Sequence, residues 1–452
     1  MLFGVPGLKR TVVSIFALVA ATVTIVACGS YSGPSNNQGA SKLKFRAFVS
    51  NPLFPNGIGG SPVLNIVDAS KDVLSFSRIS LAGNSTQPGL MALSPNLRFT
   101  MVFSSAGNSV TLIDNTTESI AQSTSSSSTT STPVPTISLP GFTESMFIGT
   151  ANTTAYAAVP TAQVMGQAPG AVEVLNLQTG SVAASIPVPG AHFIVPSPDG
   201  NHILVFSDNS DTVTVITTIA IGTHTDPRSY ITGFDRPAWA VFSDNSTAYV
   251  LNCGAQCHGI AAGVSLVTGG FPTPGTTVLF NGTTTAVSGA TMGLLSGSAL
   301  YVAGTPPSTA CGAGTSVPNC GKLSVIDAGS MAVTGSATIT DGYHDRMQMT
   351  KDGQLFIGSQ GCSNVNISGG EVRGCLSIFN TRSSKVVVPP QIGDVTGIQP
   401  ITGRNVVYVV QDGGLGIYDT TTDKLQVSPG NSQNNNGQVD IVGQLFDVKL
   451  VD

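Results

Sequence analysis

Apolar and polar side chains alternate with a period of two along most of this chain, and one phrase of that alternation keeps returning. It is a short apolar strand ending in an acid, an amide or a threonine, followed by a turn rich in Thr, Ser and Gly. It reads Leu64-Asn65-Ile66-Val67-Asp68, Val110-Thr111-Leu112-Ile113-Asp114, Val172-Glu173-Val174-Leu175-Asn176 and Val213-Thr214-Val215-Ile216-Thr217. It continues as Val264-Ser265-Leu266-Val267-Thr268, Leu323-Ser324-Val325-Ile326-Asp327, Leu376-Ser377-Ile378-Phe379-Asn380 and Leu415-Gly416-Ile417-Tyr418-Asp419. Ahead of most copies lie two further strands. The second carries a β-rich tetrad such as Ala248-Tyr249-Val250-Leu251, Leu300-Tyr301-Val302-Ala303 or Val407-Tyr408-Val409-Val410. Turns such as Ser197-Pro198-Asp199-Gly200 and Lys351-Asp352-Gly353 punctuate them.

Each unit therefore predicts a four-stranded antiparallel meander of about 40–55 residues, the size of one propeller blade. No segment holds a capped helical period for more than two turns. The expected fold is all-β, a single β-propeller domain over residues 42–452. A β-sandwich does not repeat one three-strand phrase eight times. Eight blades are favoured, with seven plus an N-terminal hairpin as the alternative. In the eight-bladed reading Gln438–Val442 returns as the innermost strand of the first blade. Its other strands are Phe45–Ser50, Val63–Asp68 and Val73–Ser80, and the closure removes exposed sheet edges. The phrase "Tyr-Val, loop, Val-x-Val-Ile-Asp, polar turn" resembles the YVTN-repeat propellers, the YncE-like and surface-layer-type exported proteins, from Leu43 to Asp419. Asn176 and Thr268 depart from its strand-ending Asp.

Composition narrows the class. Only 10% of the 452 residues are charged, with 19 Lys+Arg against 24 Asp+Glu, where an average soluble domain has about 25%. A net charge of −5 argues against nucleic acid, whose phosphates demand clustered cations. Lys9 and Arg10 precede an uncharged, largely apolar run from Thr11 to Ala27, the layout of an export signal over residues 1–27. The tetrad Ile25-Val26-Ala27-Cys28 resembles a bacterial lipobox. That resemblance implies an acylated Cys28 as mature N-terminus, followed by a flexible tether over residues 28–41. Gly29, which is not Asp, favours the outer membrane by the rule known for such lipoproteins.

Six further cysteines, Cys253, Cys257, Cys311, Cys320, Cys362 and Cys375, are an even set in an exported chain and predict disulfides. They fall pairwise between the second and third strands of three consecutive blades. Cys311–Cys320 and Cys362–Cys375 are the favoured pairs, and the tight Cys253–Cys257 leaves cross-blade bridging open. Cys253, Cys257 and His258 lack a fourth ligand for zinc, so no metal is expected.

Loops after the second and fourth strands of a blade share one face in propellers, so the Cys-bearing loops surround the mouth of the central funnel. Gly233-Phe234-Asp235-Arg236, Gly342-Tyr343-His344-Asp345-Arg346 and Gly190-Ala191-His192-Phe193 sit there, with Trp239, the sole Trp, close behind. His192, Arg236, Trp239, His344, Asp345 and Arg346 are the candidate funnel residues. The competing reading makes Asp235–Arg236 and Asp345–Arg346 ion pairs that lock adjacent blades. There is no Gly-x-Ser-x-Gly elbow, His-Glu-x-x-His or phosphate loop. No cofactor or catalytic residue is expected. The run Ser123 to Thr132 reads as a solvated loop on the other face. The expected function is a monomeric, non-enzymatic binding or scaffold module of the cell envelope, held at the membrane by its lipid and contacting an envelope protein or glycan. The alternative is a small-molecule-binding or lactonase-like propeller, with His344 and Asp345 the adjacent acid–base pair.

Overall fold

The computed structural model describes residues 39–52, 63–81, 87–123, 132–307, 320–363, 365–367, 371–426 and 437–452. The signal segment, Cys28, the tether up to residue 38, Cys311 and residues 124–131 of the Ser/Thr run lie outside these. The recurring phrase forms the third strand of its sheet all eight times, and the sheets succeed one another as eight four-stranded antiparallel blades. Counted from the axis outward, blade 4 is Ala191–Pro196, His202–Ser207, Thr212–Thr217 and Arg228–Thr232. The other innermost strands are Val448–Leu450, Pro88–Leu93, Ser145–Ile148, Pro237–Asp244, Met292–Ser296, Tyr343–Met349 and Val395–Pro400.

The terminal acid or amide of the phrase has a local physical purpose. The side-chain oxygens of Asp68, Asp114, Asn176, Asp327, Asn380 and Asp419 each accept the N–H of a residue two or three positions on, at 2.7–3.1 Å. Such turns fold the third strand back into the fourth. Asn176 does this as well as Asp, so its departure from the repeat costs nothing.

Packing between blades comes from the second and third strands, whose side chains are buried on both faces. Val63–Asp68 and Val406–Gln411 are buried at every position. Between blades 4 and 5, Leu204, Phe206, Val213 and Val215 meet Ala240, Ala248 and Val250 in one apolar cluster. Each such buried Val, Leu or Phe stabilises the fold by about 1.5–3 kcal/mol. An unexpected fifth strand, Thr277–Leu279 of blade 5, runs parallel along the outer edge of blade 4, pairing Tyr230 with Thr277.

The ring closes with a strand other than the expected one. Val448–Leu450 pairs with Arg46–Ser50 and becomes the innermost strand of blade 1. Gln438–Val439 instead pairs with Leu415 and Gly416 in blade 8. After leaving the third strand of blade 8 the chain must still travel in to the axis, and the residues between Val439 and Val448 supply that distance. At the seam, fully buried Arg46 donates to Asp452 from Nε (2.8 Å) and Nη2 (2.5 Å). Its Nη1 donates to the Asn115 carbonyl (2.8 Å) and to Glu118 (2.9 Å). Glu118 also accepts the Ser41 N–H at 2.6 Å, fixing the point where the chain enters the propeller.

Among the described residues Cys253 pairs with Cys257 and Cys362 with Cys375, with Cα separations of 5.6 and 5.5 Å. The local pairing of Cys253 thus replaces the cross-blade possibility and takes both thiols from any metal. Cys320 is also disulfide-bonded. No described helix is long and apolar enough to cross a membrane.

Candidate functional site in the central funnel

The innermost strands of blades 2, 4, 5, 7 and 8 each carry a β-bulge near their first residues, at Pro88/Met91, Ala191/Phe193, Pro237/Trp239, His344/Arg346 and Val395/Gly397. A bulge inserts one residue and breaks the strict alternation of faces. In blade 7 this leaves Asp345 and Arg346, neighbours in sequence, both lining the funnel, while His344 before them and Met347 after them are buried.

Three connected cavities result. The first, about 290 Å³, lies on the axis and is lined by Leu90, Phe147, Phe193, Trp239, Tyr343 and Lys449 among others. A second of about 180 Å³ shares Leu90, Glu144, Phe193, Asp345 and Arg346 with it and opens past Phe103, Phe142 and Phe446. A third of about 150 Å³ shares Phe193 and Tyr343 and reaches Asp208, Arg236 and Cys257. The Phe193 ring stands edge-on to Trp239 (6.1 Å) and within 14° of parallel to Tyr343 (6.5 Å).

Charged groups at this mouth are engaged with one another. His192 stacks on Phe193 at 4.2 Å and shares hydrogen bonds of 2.7 Å with Asp208 through Nδ1 and with Glu144 through Nε2. Burial alone would lower its pKa, but the two carboxylates outweigh that and raise it to about 9, so the ring is cationic at neutral pH. The same bond to His192 holds the Glu144 carboxyl below its ordinary range. Arg346 Nη1 pairs with Asp345 Oδ2 at 3.1 Å, and its Nε donates to the Thr396 carbonyl at 2.8 Å. The Asp345 side chain is 11% exposed, and burial pushes its pKa up against the pull of Arg346 and Gln360. Burial likewise raises the Tyr343 phenol, reinforced by the charges of Asp345, Asp208 and Glu144.

The expected residues thus divide. His192, Trp239, Asp345 and Arg346 meet at the funnel, as does Arg236 at its edge. Arg236 forms a 3.7 Å ion pair with Asp211 rather than with its neighbour Asp235. Asp235 instead accepts the N–H groups of Ile260 (3.0 Å) and Ala261 (2.6 Å), tying down the Cys253–Cys257 loop. Gln256 of that loop donates to the Gly342 carbonyl at 3.1 Å, carrying the stapled loop along the rim to blade 7. His344 does not present its ring to the funnel. It is fully buried, shares a 2.9 Å hydrogen bond through Nε2 with the Thr340 carbonyl, and has a pKa lowered by burial to about 4. No hydrogen bond joins it to Asp345 among the described residues, so the expected His344–Asp345 pair is not assembled. Glu144, Asp208 and Lys449 were not among the expected site residues, whereas Phe193 and Tyr343 lie in the segments expected at the mouth. The signal for Glu144 was available: it precedes its innermost strand just as Asp345 sits at the start of its own.

No family model matches the chain, and no curated protein matches it, so the likeness to YVTN-repeat proteins rests on the repeat phrase alone. Solved structures do share its fold. The dihydro-heme d1 dehydrogenase NirN in complex with DHE superimposes with a TM-score of 0.55 at 11% identity, over 90% of this chain and 75% of that one. The periplasmic gluconolactonase PpgL of Pseudomonas aeruginosa gives 0.46 at 14% identity, over 90% and 99%. A functionally unknown protein from Desulfotomaculum acetoxidans DSM 771 gives 0.45 at 18%, over 82% and 98%. The likeness to NirN speaks for the fold alone and not for a shared activity.

Proposed function

We propose that this protein is an exported, lipid-anchored propeller of the bacterial cell envelope that binds a small molecule in its funnel without transforming it, and offers the loaded mouth to an envelope protein or glycan. The observation that carries the binding reading is the set of connected, aromatic-lined cavities at the axis, built by bulges that recur at the same end of five innermost strands. The disulfides favour an oxidising compartment, and the lipobox-like tetrad ending in Cys28 supports the anchor.

Trp239 is the only tryptophan and lines the axial cavity, so its emission reports occupancy of that cavity directly. Titration of the mature protein with a chemically diverse set of small molecules is expected to yield compounds that shift this emission and raise Tm together. A set in which nothing shifts it overturns the binding reading. Intact mass of membrane-extracted protein tests the anchor: a chain beginning at Cys28 plus acyl groups is expected, and an unacylated chain refutes it.

A further inference from the structure

Resting on that reading of the funnel, we infer that its ligand is a net-neutral molecule with a flat aromatic body and one polar edge that places a hydrogen-bond donor beside an acceptor. The charged groups at the funnel are already engaged with one another, four cations against five carboxylates. His192 stands between Glu144 and Asp208, Arg346 beside Asp345, Lys449 beside Asp447 (3.1 Å) and Arg236 beside Asp211. An anionic ligand would have to draw a cation away from a carboxylate that already holds it, and a cationic one would have to compete with His192, Arg346, Lys449 or Arg236 for theirs.

Hydrogen-bonding capacity remains open at Arg236 Nε on the edge of the third cavity and, nearer the axis, at Asp345 and Arg346. Asp345 Oδ1 is buried and has no partner, while its Oδ2 is taken by Gln360 and Arg346. Arg346 uses Nε and Nη1, and among the described residues its Nη2 makes no hydrogen bond. One acceptor and one donor are therefore left over on adjacent residues, and both residues line the first and second cavities. A buried carboxylate oxygen without a partner is costly, and a ligand donor relieves that cost. The bulge at His344/Arg346 is what brings the two together. Phe193, Tyr343 and Trp239 supply the apolar walls for the body of the ligand, and rings of this kind prefer offset or edge-on aromatic partners. A primary amide and an ammonium–carboxylate pair both carry the required edge.

Four probes separate the possibilities on the mature protein, read by Trp239 emission and calorimetry: benzamide, L-phenylalanine, phenylacetate and phenethylamine. Benzamide or L-phenylalanine is expected to bind at least about tenfold tighter than either singly charged analogue, a difference of about 1.4 kcal/mol. Whichever of the two leads identifies the edge as amide or zwitterion. Asp345→Asn, which leaves Arg346 without its counter-charge, is expected to move the preference at least tenfold toward phenylacetate, with Tm monitoring the fold. Charged probes that bind as well as the neutral ones overturn the inference and leave the funnel reading standing. So does a diverse set whose hits all lack the paired edge. Silence of Trp239 toward every compound overturns both.

Discussion

Two buried ionic clusters, the closing seam and the funnel, use the same residue types to opposite ends. At the seam each group is taken up: Arg46 is held on all three nitrogens by Asp452, Glu118 and the Asn115 carbonyl. Nearby, Asp72 receives Arg404 at 2.5 and 2.7 Å and the Tyr408 hydroxyl at 2.5 Å. In the funnel the pairing stops short, with one oxygen of Asp345 and one nitrogen of Arg346 left over. Completed networks make architecture and incomplete ones make sites, because only unspent hydrogen-bonding capacity rewards a ligand.

The sharpest way to break this contrast is at the seam. Arg46→Leu strands Glu118 and Asp452 in a buried setting and is expected to cost about 3–5 kcal/mol in urea unfolding. Asp345→Asn is expected to cost under about 1 kcal/mol while changing ligand preference as above. Equal losses for the two variants would erase the distinction between them. Next in size, opening Cys362–Cys375 by paired Ser substitution removes a staple spanning 13 residues and is expected to cost about 3 kcal/mol. Opening Cys253–Cys257, which spans 4, is expected to cost about 2 kcal/mol and to loosen the rim.

Two pH profiles carry smaller effects of opposite sign. His344 is buried neutral, its pKa lowered to about 4. The unfolded chain takes up a proton near pH 6.5 that the folded one refuses, so stability falls as pH drops from about 6.5 toward 4, at most about 1.4 kcal/mol per unit. His344→Gln, which can still donate to Thr340, is expected to flatten that slope. His192 has its pKa raised to about 9. Its contribution is complete below pH 6.5 and is lost as pH rises through 9. Because Glu144 and Asp208 are half exposed, this decline in Tm is expected to be the smallest effect and to shrink with added salt. His192→Gln should abolish it.

The blades were legible because their signal is redundant: eight third strands announce themselves by alternation, and six of them by an Asp or Asn that caps the following turn. The closing strand was not, since Val448, Lys449 and Leu450 carry too little pattern to outbid Gln438–Val442. Its place is decided by Arg46 and Asp452, a contact across 406 positions. The candidate site was half legible. Position in the blade indicated the loops, but alternation could not say which side chains turn inward, because bulges reset the phase. Thus His344 went into the wall, and Arg346, which strict alternation would have sent the same way, into the funnel.

The seam also gives the ring a handle. Gly39 to Arg46 enters beside Asp452, at the ends of blade 1 strands that correspond to Gln354 in blade 7, whereas Asp345 and Gln360 occupy the opposite end of that blade. The described chain therefore enters the propeller at the end of the blades opposite the funnel mouth, which it leaves clear.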